Sequence, residues 1–351
     1  SRFTADWRSR VAPAFVAGIR IAEFADDMGE ATGIALLLRH ALETPGRTAA
    51  LVTPDRQLAE RVASALARWG IAADDSAGQP LGKTPAGALA RLALAAATKG
   101  DLVALMAFLA HPLLGPGGDR ASWLTHVRAL DLRLRGPGKP ASLGGIAAYL
   151  RTPLREDQPL SDGDAALADW WDPVVAELSA LWALTQDDIA VPPARLFALL
   201  VDVIDRLSDG SVWAGPAGRQ LAALFDRWQL AAPDGPALLP PHAIARQLDD
   251  LLAGESVRPP FGRHPRLFIW GLLEARLQRA DVMILGGLNE GSWPAETSPD
   301  PWLAPGIRRQ LGLPSIERAQ GLAAHDFVTA LGAPDVVVTR AKRQGGDPAV
   351  A

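Results

Sequence analysis

The 351-residue sequence has no cysteine. That excludes disulfides, thiolate zinc sites, cysteine nucleophiles and cysteine-ligated iron–sulfur clusters within it, and it fits a reducing, cytoplasmic setting. No apolar run reaches the roughly 18 residues of a membrane span, so no membrane contact is expected. Charge is sparse too. Charged residues make up 21% and the formal net charge is -4, so contact with DNA has to come from local basic patches rather than a global positive field. The six histidines, His40, His111, His126, His242, His264 and His325, show no HxxxH or HExxH spacing, which argues against a metal site. No serine sits in a GxSxG pattern. The phosphate loop GxxxxGK(S/T) is missing as well. Pro80-Leu81-Gly82-Lys83-Thr84 carries the GKT without the first glycine at the needed spacing and without a preceding strand. Ser1 opens the chain with neither an initiator Met nor a signal-peptide pattern, and a piece of a longer protein is expected.

What is present is globular. Hydrophobic residues are 48%, and the length allows two domains with a substantial core. The organising stretch is Arg266–Pro294. It holds two short apolar runs, Leu267–Trp270 and Val282–Leu285, without polar alternation, as expected of strands covered on both faces. Ala49–Thr53 and Asp335–Thr339 read as buried strands of the same kind, and Ile71–Ala73 as a shorter one. Helices are expected over Gly29–Leu42, capped by Asp26 or Asp27, and over Arg56–Trp69. Residues 1–23 read as a leading arm. Residues 29–78 therefore alternate helix and strand, which implies a mostly parallel sheet. From Thr84 to Leu252 the pattern is helical, with segments at Thr84–Thr98, Asp101–Ala110, Ala121–Leu134, Asp164–Leu184, Pro193–Leu207, Pro216–Leu230 and Pro241–Leu252. The tail adds helices at Pro305–Leu311 and Ser315–Leu331. The expected architecture is an α/β domain, residues 1–83 plus 258–351, interrupted by an inserted helical domain, residues 84–257.

Strand Val282–Leu285 runs into Gly286-Gly287-Leu288-Asn289-Glu290-Gly291 and then Trp293-Pro294. Open α/β sheets present their sites on such loops at the carboxyl ends of strands. Strand Asp335–Thr339 delivers Arg340, whose guanidinium has the geometry to pair with phosphate, or else ends in a solvated basic turn. Two basic clusters, Arg128/Arg133/Arg135/Lys139 and Arg258/Arg263/His264/Arg266, suit either a DNA backbone or an exposed face. Asp187-Asp188 and Asp249-Asp250 read as solvated helix ends. The tryptophans at helical spacing, including Trp170-Trp171, read as core anchors rather than base-stacking platforms.

The order of these parts resembles the second RecA-like domain of superfamily-one helicases of the UvrD/RecB type and, more closely, the AddB family of AddAB helicase–nucleases in its α-proteobacterial form. The matching pieces are AALVTPDRQLAERV (49–62), DDSAGQPL (74–81), FIWGLLEARLQRADVMILGGLNEGSWPA (268–295), DPWL (300–303) and VVVTRAKR (336–343). The resemblance implies a P-loop NTPase-like fold and a role in ATP-dependent processing of double-strand DNA breaks for recombinational repair. AddA and single- and double-stranded DNA ends are the implied partners. It further implies a largely degenerate motor, a part in recognising the recombination hotspot Chi, and a nuclease domain with an iron–sulfur cluster, neither of which lies in this chain. No cofactor is expected in this segment, while ATP and Mg belong to the full complex. By the same resemblance Gln278 stands where active relatives place a glutamate against the nucleotide sugar, and Arg340 stands where they place an arginine on the γ-phosphate. Without a phosphate loop Arg340 cannot catalyse hydrolysis alone. Arg263, Arg266, Asn289, Trp293 and Arg343 are the expected DNA contacts. The Trp293 and Trp302 region is the expected place for a base to stack, with core packing as the competing role of Trp293. The alternatives are an active motor domain and a helical scaffold without a DNA role.

Overall fold

The computed structural model describes residues 18–153, 159–258, 263–293, 302–313 and 316–350. The chain forms two compact units, Ser1–Ala77 with Phe261–Ala351, and Gly78–Pro260.

The first unit is built on strands β1 (Ile19–Phe24), β2 (Ala49–Val52) and β3 (Asp74–Asp75), with α1 (Asp27–Ala41) and α2 (Arg56–Ala67) between them. Both helices start where the sequence supplies an acceptor for their free N–H groups. Asp26 accepts from Gly29 N at 2.7 Å, and Asp55 accepts from Gln57 N and Leu58 N at 2.8 and 3.1 Å.

The second unit, residues 78–260, is almost wholly helical. Its elements are β4 (Gln79–Pro80), α3 (Pro85–Lys99), α4 (Leu102–Leu109), α5 (Arg120–Leu134), α6 (Leu143–Leu150), α7 (Asp162–Thr185), α8 (Pro193–Ser208), α9 (Gly215–Ala231), α10 (Pro241–Gly254) and β5 (Ser256–Val257). The alanine-rich α3 is its hub and packs against α4, α7, α8, α9 and α10. Its buried Ala86, Gly87, Ala90, Ala93, Ala96 and Ala97 let neighbouring helices approach closely. The GKT stretch lies here, and its Thr84 is a helix cap. Thr84 Oγ1 donates to the Leu81 carbonyl at 2.7 Å and accepts from Gly87 N at 3.3 Å. β4 and β5 pair antiparallel and so tie the two ends of this unit together. Helix α6 falls where the sequence reading placed none.

The first unit resumes with β6 (Leu267–Trp270), α11 (Leu272–Ala275), β7 (Val282–Leu285), α12 (Pro305–Gln310), α13 (Ile316–Ala330), β8 (Asp335–Ala341) and the small hairpin β9 (Arg343–Gln344) and β10 (Asp347–Pro348). Six strands form one all-parallel sheet in the order β1-β8-β7-β2-β6-β3. β2 lies between β6 and β7, with Ala49 opposite both Leu267 and Val282.

Alternate residues of each strand serve opposite faces. Ala49, Leu51, Ile269, Ile284 and Val337 pack under Ile34, Leu38, Leu58 and Val62 of α1 and α2. Ala50, Val52, Met283, Leu285 and Val338 pack with Trp293, and with Phe327 and Ala330 of α13. This two-sided burial is why the runs show no polar alternation. β1 corrects the reading of residues 1–23 as an arm, because Ile19–Phe24 is the sheet's edge strand. The short strand expected at Ile71–Ala73 falls instead at Asp74–Asp75.

Among the described residues no helix is long and apolar enough to cross a membrane. Ser315 and residues 294–301 of the sequence motifs lie outside the described residues.

Candidate functional site at the sheet's carboxyl edge

Neighbouring strands β2 and β7 send their chains in opposite directions. From β2 the chain passes through Thr53-Pro54-Asp55 into α2 and on towards β3. From β7 it passes through Gly286-Gly287-Leu288-Asn289 and on towards β8. Because α2 and α13 cover opposite faces, the loops diverge at the carboxyl ends of the two strands, the switch point at which open parallel sheets carry their sites.

The glycine loop after β7 is close-packed against the sheet and α2. A Cβ on Gly286 would lie 2.8 Å from Leu51 Cδ1 and 3.1 Å from Ile34 Cδ1 and Leu58 Cδ2, and Gly287 adopts φ +77°. Glu30, in the first turn of α1 and 2% exposed, crosses to this loop. Its Oε1 accepts from Gly287 N at 2.8 Å and from Thr339 Oγ1 at 2.7 Å. Burial raises its pKa above the usual carboxylate value, against the two hydrogen bonds, which lower it, and Asp55 and Asp27 add to the rise. Thr53 is also buried, with its N–H on the Trp270 carbonyl and its Oγ1 accepting from Asp55 N.

This edge is acidic, and four of its cations, Arg340, Lys342, Arg61 and Arg56, are paired with carboxylates. Arg340 Nε donates to Glu23 Oε1 at 2.8 Å, and Lys342 lies 3.6 Å from the other Glu23 oxygen. The Arg340 hydrogen bond and charge hold the Glu23 carboxyl below its ordinary range. Arg61 pairs with Asp27 at 3.2 Å and Arg56 with Asp75 at 2.7 Å. The N-termini of α1 and α2, which elsewhere receive phosphates, are closed by Asp26 and Asp55. The arrangement offers fixed carboxylates rather than a cradle of free N–H groups.

The residues singled out from sequence do not form one site. Arg340 lies at the carboxyl end of β8, whereas the exposed Gln278 leads into the amino end of β7. Arg263 bonds the Asp74 carboxylate and the Asp75 carbonyl. Arg266 precedes β6 at the amino edge rather than the carboxyl edge. Its guanidinium donates to the carbonyls of Thr44, Arg47 and Leu42 at 2.8, 3.2 and 3.3 Å. Asn289 is 3% and Trp293 4% exposed. Asn289 forms the turn, its carbonyl accepting from Ser292 N and Trp293 N, and Trp293 meets Phe327 edge to face at 5.5 Å. Both are therefore part of the interior rather than open to a nucleic acid. Arg343, in β9, is exposed, as is Trp302 at 89%. In the helical unit Arg133 pairs with Asp164, Arg135 with Asp131, and Lys139 bonds the Tyr149 hydroxyl. Glu30 was not found from sequence. Its acid sits in a helix first turn, where solvated carboxylates are common, and its partners are 257 and 309 residues away.

Fold and edge together define an α/β protein with an open, all-parallel central sheet and carboxylates near its switch point. No protein-family model and no curated protein sequence matches this chain.

Proposed function

We propose that this chain is a helicase-like, non-motor segment of an AddB-family protein, serving as DNA channel wall and as docking surface for AddA in double-strand break processing. The six-stranded parallel sheet with helices on both faces supports the finer RecA-like, P-loop NTPase-like reading. So does the run of motifs from AALVTPD through GGLNEG to TRAKR. The single observation that carries the non-motor part is the Arg340–Glu23 pair, because the arginine that active relatives direct at phosphate is here neutralised within the sheet. ATP and Mg then act elsewhere in the complex, in the cytoplasm, and nuclease chemistry with its iron–sulfur cluster belongs to another part of the full-length protein.

DNA contact in this reading falls to the exposed basic turn Lys342-Arg343 rather than to Arg263 and Arg266. One experiment tests both parts. ATP turnover and fluorescence anisotropy of labelled single-stranded DNA are measured on the chain at low and high salt. The expected result is no turnover and weak binding that declines steeply with salt and further on Arg343→Glu. DNA-stimulated turnover that disappears on Arg340→Ala overturns the reading.

A further inference from the structure

The adjacent pair Trp170-Trp171 divides between two roles. Trp171 is fully buried and donates its indole N–H to the Leu143 carbonyl. Trp170 is only partly buried and lines a cavity of about 340 Å³ within the helical unit, at the small end of ligand-binding pockets.

Helical spacing builds that cavity. Trp170 and Glu177 are two turns apart on one face of α7, and Trp123 and His126 share a face of α5, so both helices aim an aromatic group at the same space. The His126 ring lies parallel to Trp170 with centroids 5.3 Å apart, and Trp123 meets Trp170 edge-on at 5.1 Å. Backbone bonds fix two of these rings. Trp123 Nε1 donates to the Leu109 carbonyl, and His126 Nδ1 donates to the Ser122 carbonyl. The Trp170 indole N–H has no protein partner among the described residues.

The charges around the cavity favour a cation. Asp119 and Glu177 bring two carboxylates to the lining against the single guanidinium of Arg206. Arg206 is itself held by Glu177 at 3.1 Å and Asp202 at 3.7 Å. The carboxyl end of α8, the negative end of its dipole, supplies Arg206 and Leu207. One oxygen of Asp119 caps α5 through Ser122 N, and among the described residues no bond engages the other. A phosphate meets net negative charge here. A guanidinium is planar, stacks against aromatic rings and pairs with carboxylates through a fixed fork, which a compact ammonium does not do.

We propose that this cavity binds a guanidinium group presented on an arginine side chain, independently of the helicase-like reading above. The test titrates N-acetylarginine amide, N-acetylcitrulline amide (its neutral planar isostere) and free arginine into the full chain. Binding is followed at the Trp170 indole resonance, assigned with Trp170→Phe. The blocked arginine should saturate that shift and bind about tenfold more tightly than the citrulline compound. Asp119→Asn, which keeps the helix cap, and Glu177→Gln should each weaken it about fivefold. The two variants sit on different helices, so one that fails to fold leaves the other decisive. Equal affinity for the citrulline compound, no saturable shift at Trp170, or unchanged affinity in the folded variants overturns the proposal. Tighter binding of free arginine than of the blocked amide overturns the assignment to a side chain.

Discussion

Arg340 on β8 and Glu23 on β1 stand directly opposite each other in the sheet register and are joined at 2.8 Å, 317 residues apart in the chain. Glu23 also holds Lys342, so one carboxylate restrains both cations next to the exposed Arg343. Glu23→Gln should release them and strengthen single-stranded DNA binding by about twofold to fivefold at low salt, the gain vanishing as salt rises. Anisotropy titrations at two ionic strengths check this. Unchanged affinity at low salt would show that DNA does not pass over this edge.

Glu30 makes a pH prediction. Burial raises its folded pKa above the unfolded value, which is near 4.5. The protonated form is therefore the one favoured by folding. Its contribution is fully present below the unfolded pKa and is lost as pH rises through the folded pKa. Glu30→Gln keeps an acceptor for Gly287 N and Thr339 Oγ1 without the charge. The stability of this variant relative to the parent should therefore rise between pH 4 and pH 7, read from urea midpoints. Glu30→Ala leaves both donors unpaired and should cost about 1–3 kcal/mol at either pH. A Gln variant that tracks the parent at every pH would remove Glu30 from this account.

Arg266 should report on folding rather than on DNA. Replacement by Ala strips donors from three carbonyls that close the turn between α1 and β2, at a cost of about 1–3 kcal/mol. DNA affinity at a temperature where the variant is folded should match the parent. Preserved stability with lost affinity would reverse the assignment.

For Trp293 the expected result of truncation to Ala is a loss of about 3–5 kcal/mol, as for a large aromatic removed from a packed interior, with a lower urea midpoint. A variant that melts like the parent but binds DNA less would return Trp293 to base stacking.

Much of the sheet was legible because strands covered on both faces carry uninterrupted apolar runs, as Ala49–Val52, Leu267–Trp270 and Val282–Leu285 do and as Val336–Val338 does within the strand read at Asp335–Thr339. The α1 and α2 starts were legible because Asp26 and Asp55 are capping residues ahead of helical spacing. Edge strand β1 was not. Its residues IRIAEF are half exposed, and its strand partner among the described residues is β8, near the far end of the chain. Helix α6 is short and carries Gly144-Gly145, which lower its helix propensity. The site residues were the least legible part. A sequence shows that Arg266 or Arg340 is cationic but not which carbonyl or carboxylate lies within reach. Asn289 and Trp293 belong to a glycine-rich stretch that reads as surface, yet both are buried, Trp293 against Phe327 of α13.

The position of β2 bears on how the chain is made. This central strand is synthesised early, but both its neighbours, β6 and β7, come after the whole helical unit. On the ribosome β2 therefore has neither neighbouring strand to pair with until residue 270 has emerged, and β1 waits longer still for β8. The helical unit, whose buried core cluster lies within residues 81–257, is free to fold first. Nascent chains arrested near residue 260 should accordingly resist protease across the helical unit while residues 19–77 are still cut. Protection of that early segment should arrive only once residue 341 clears the exit tunnel.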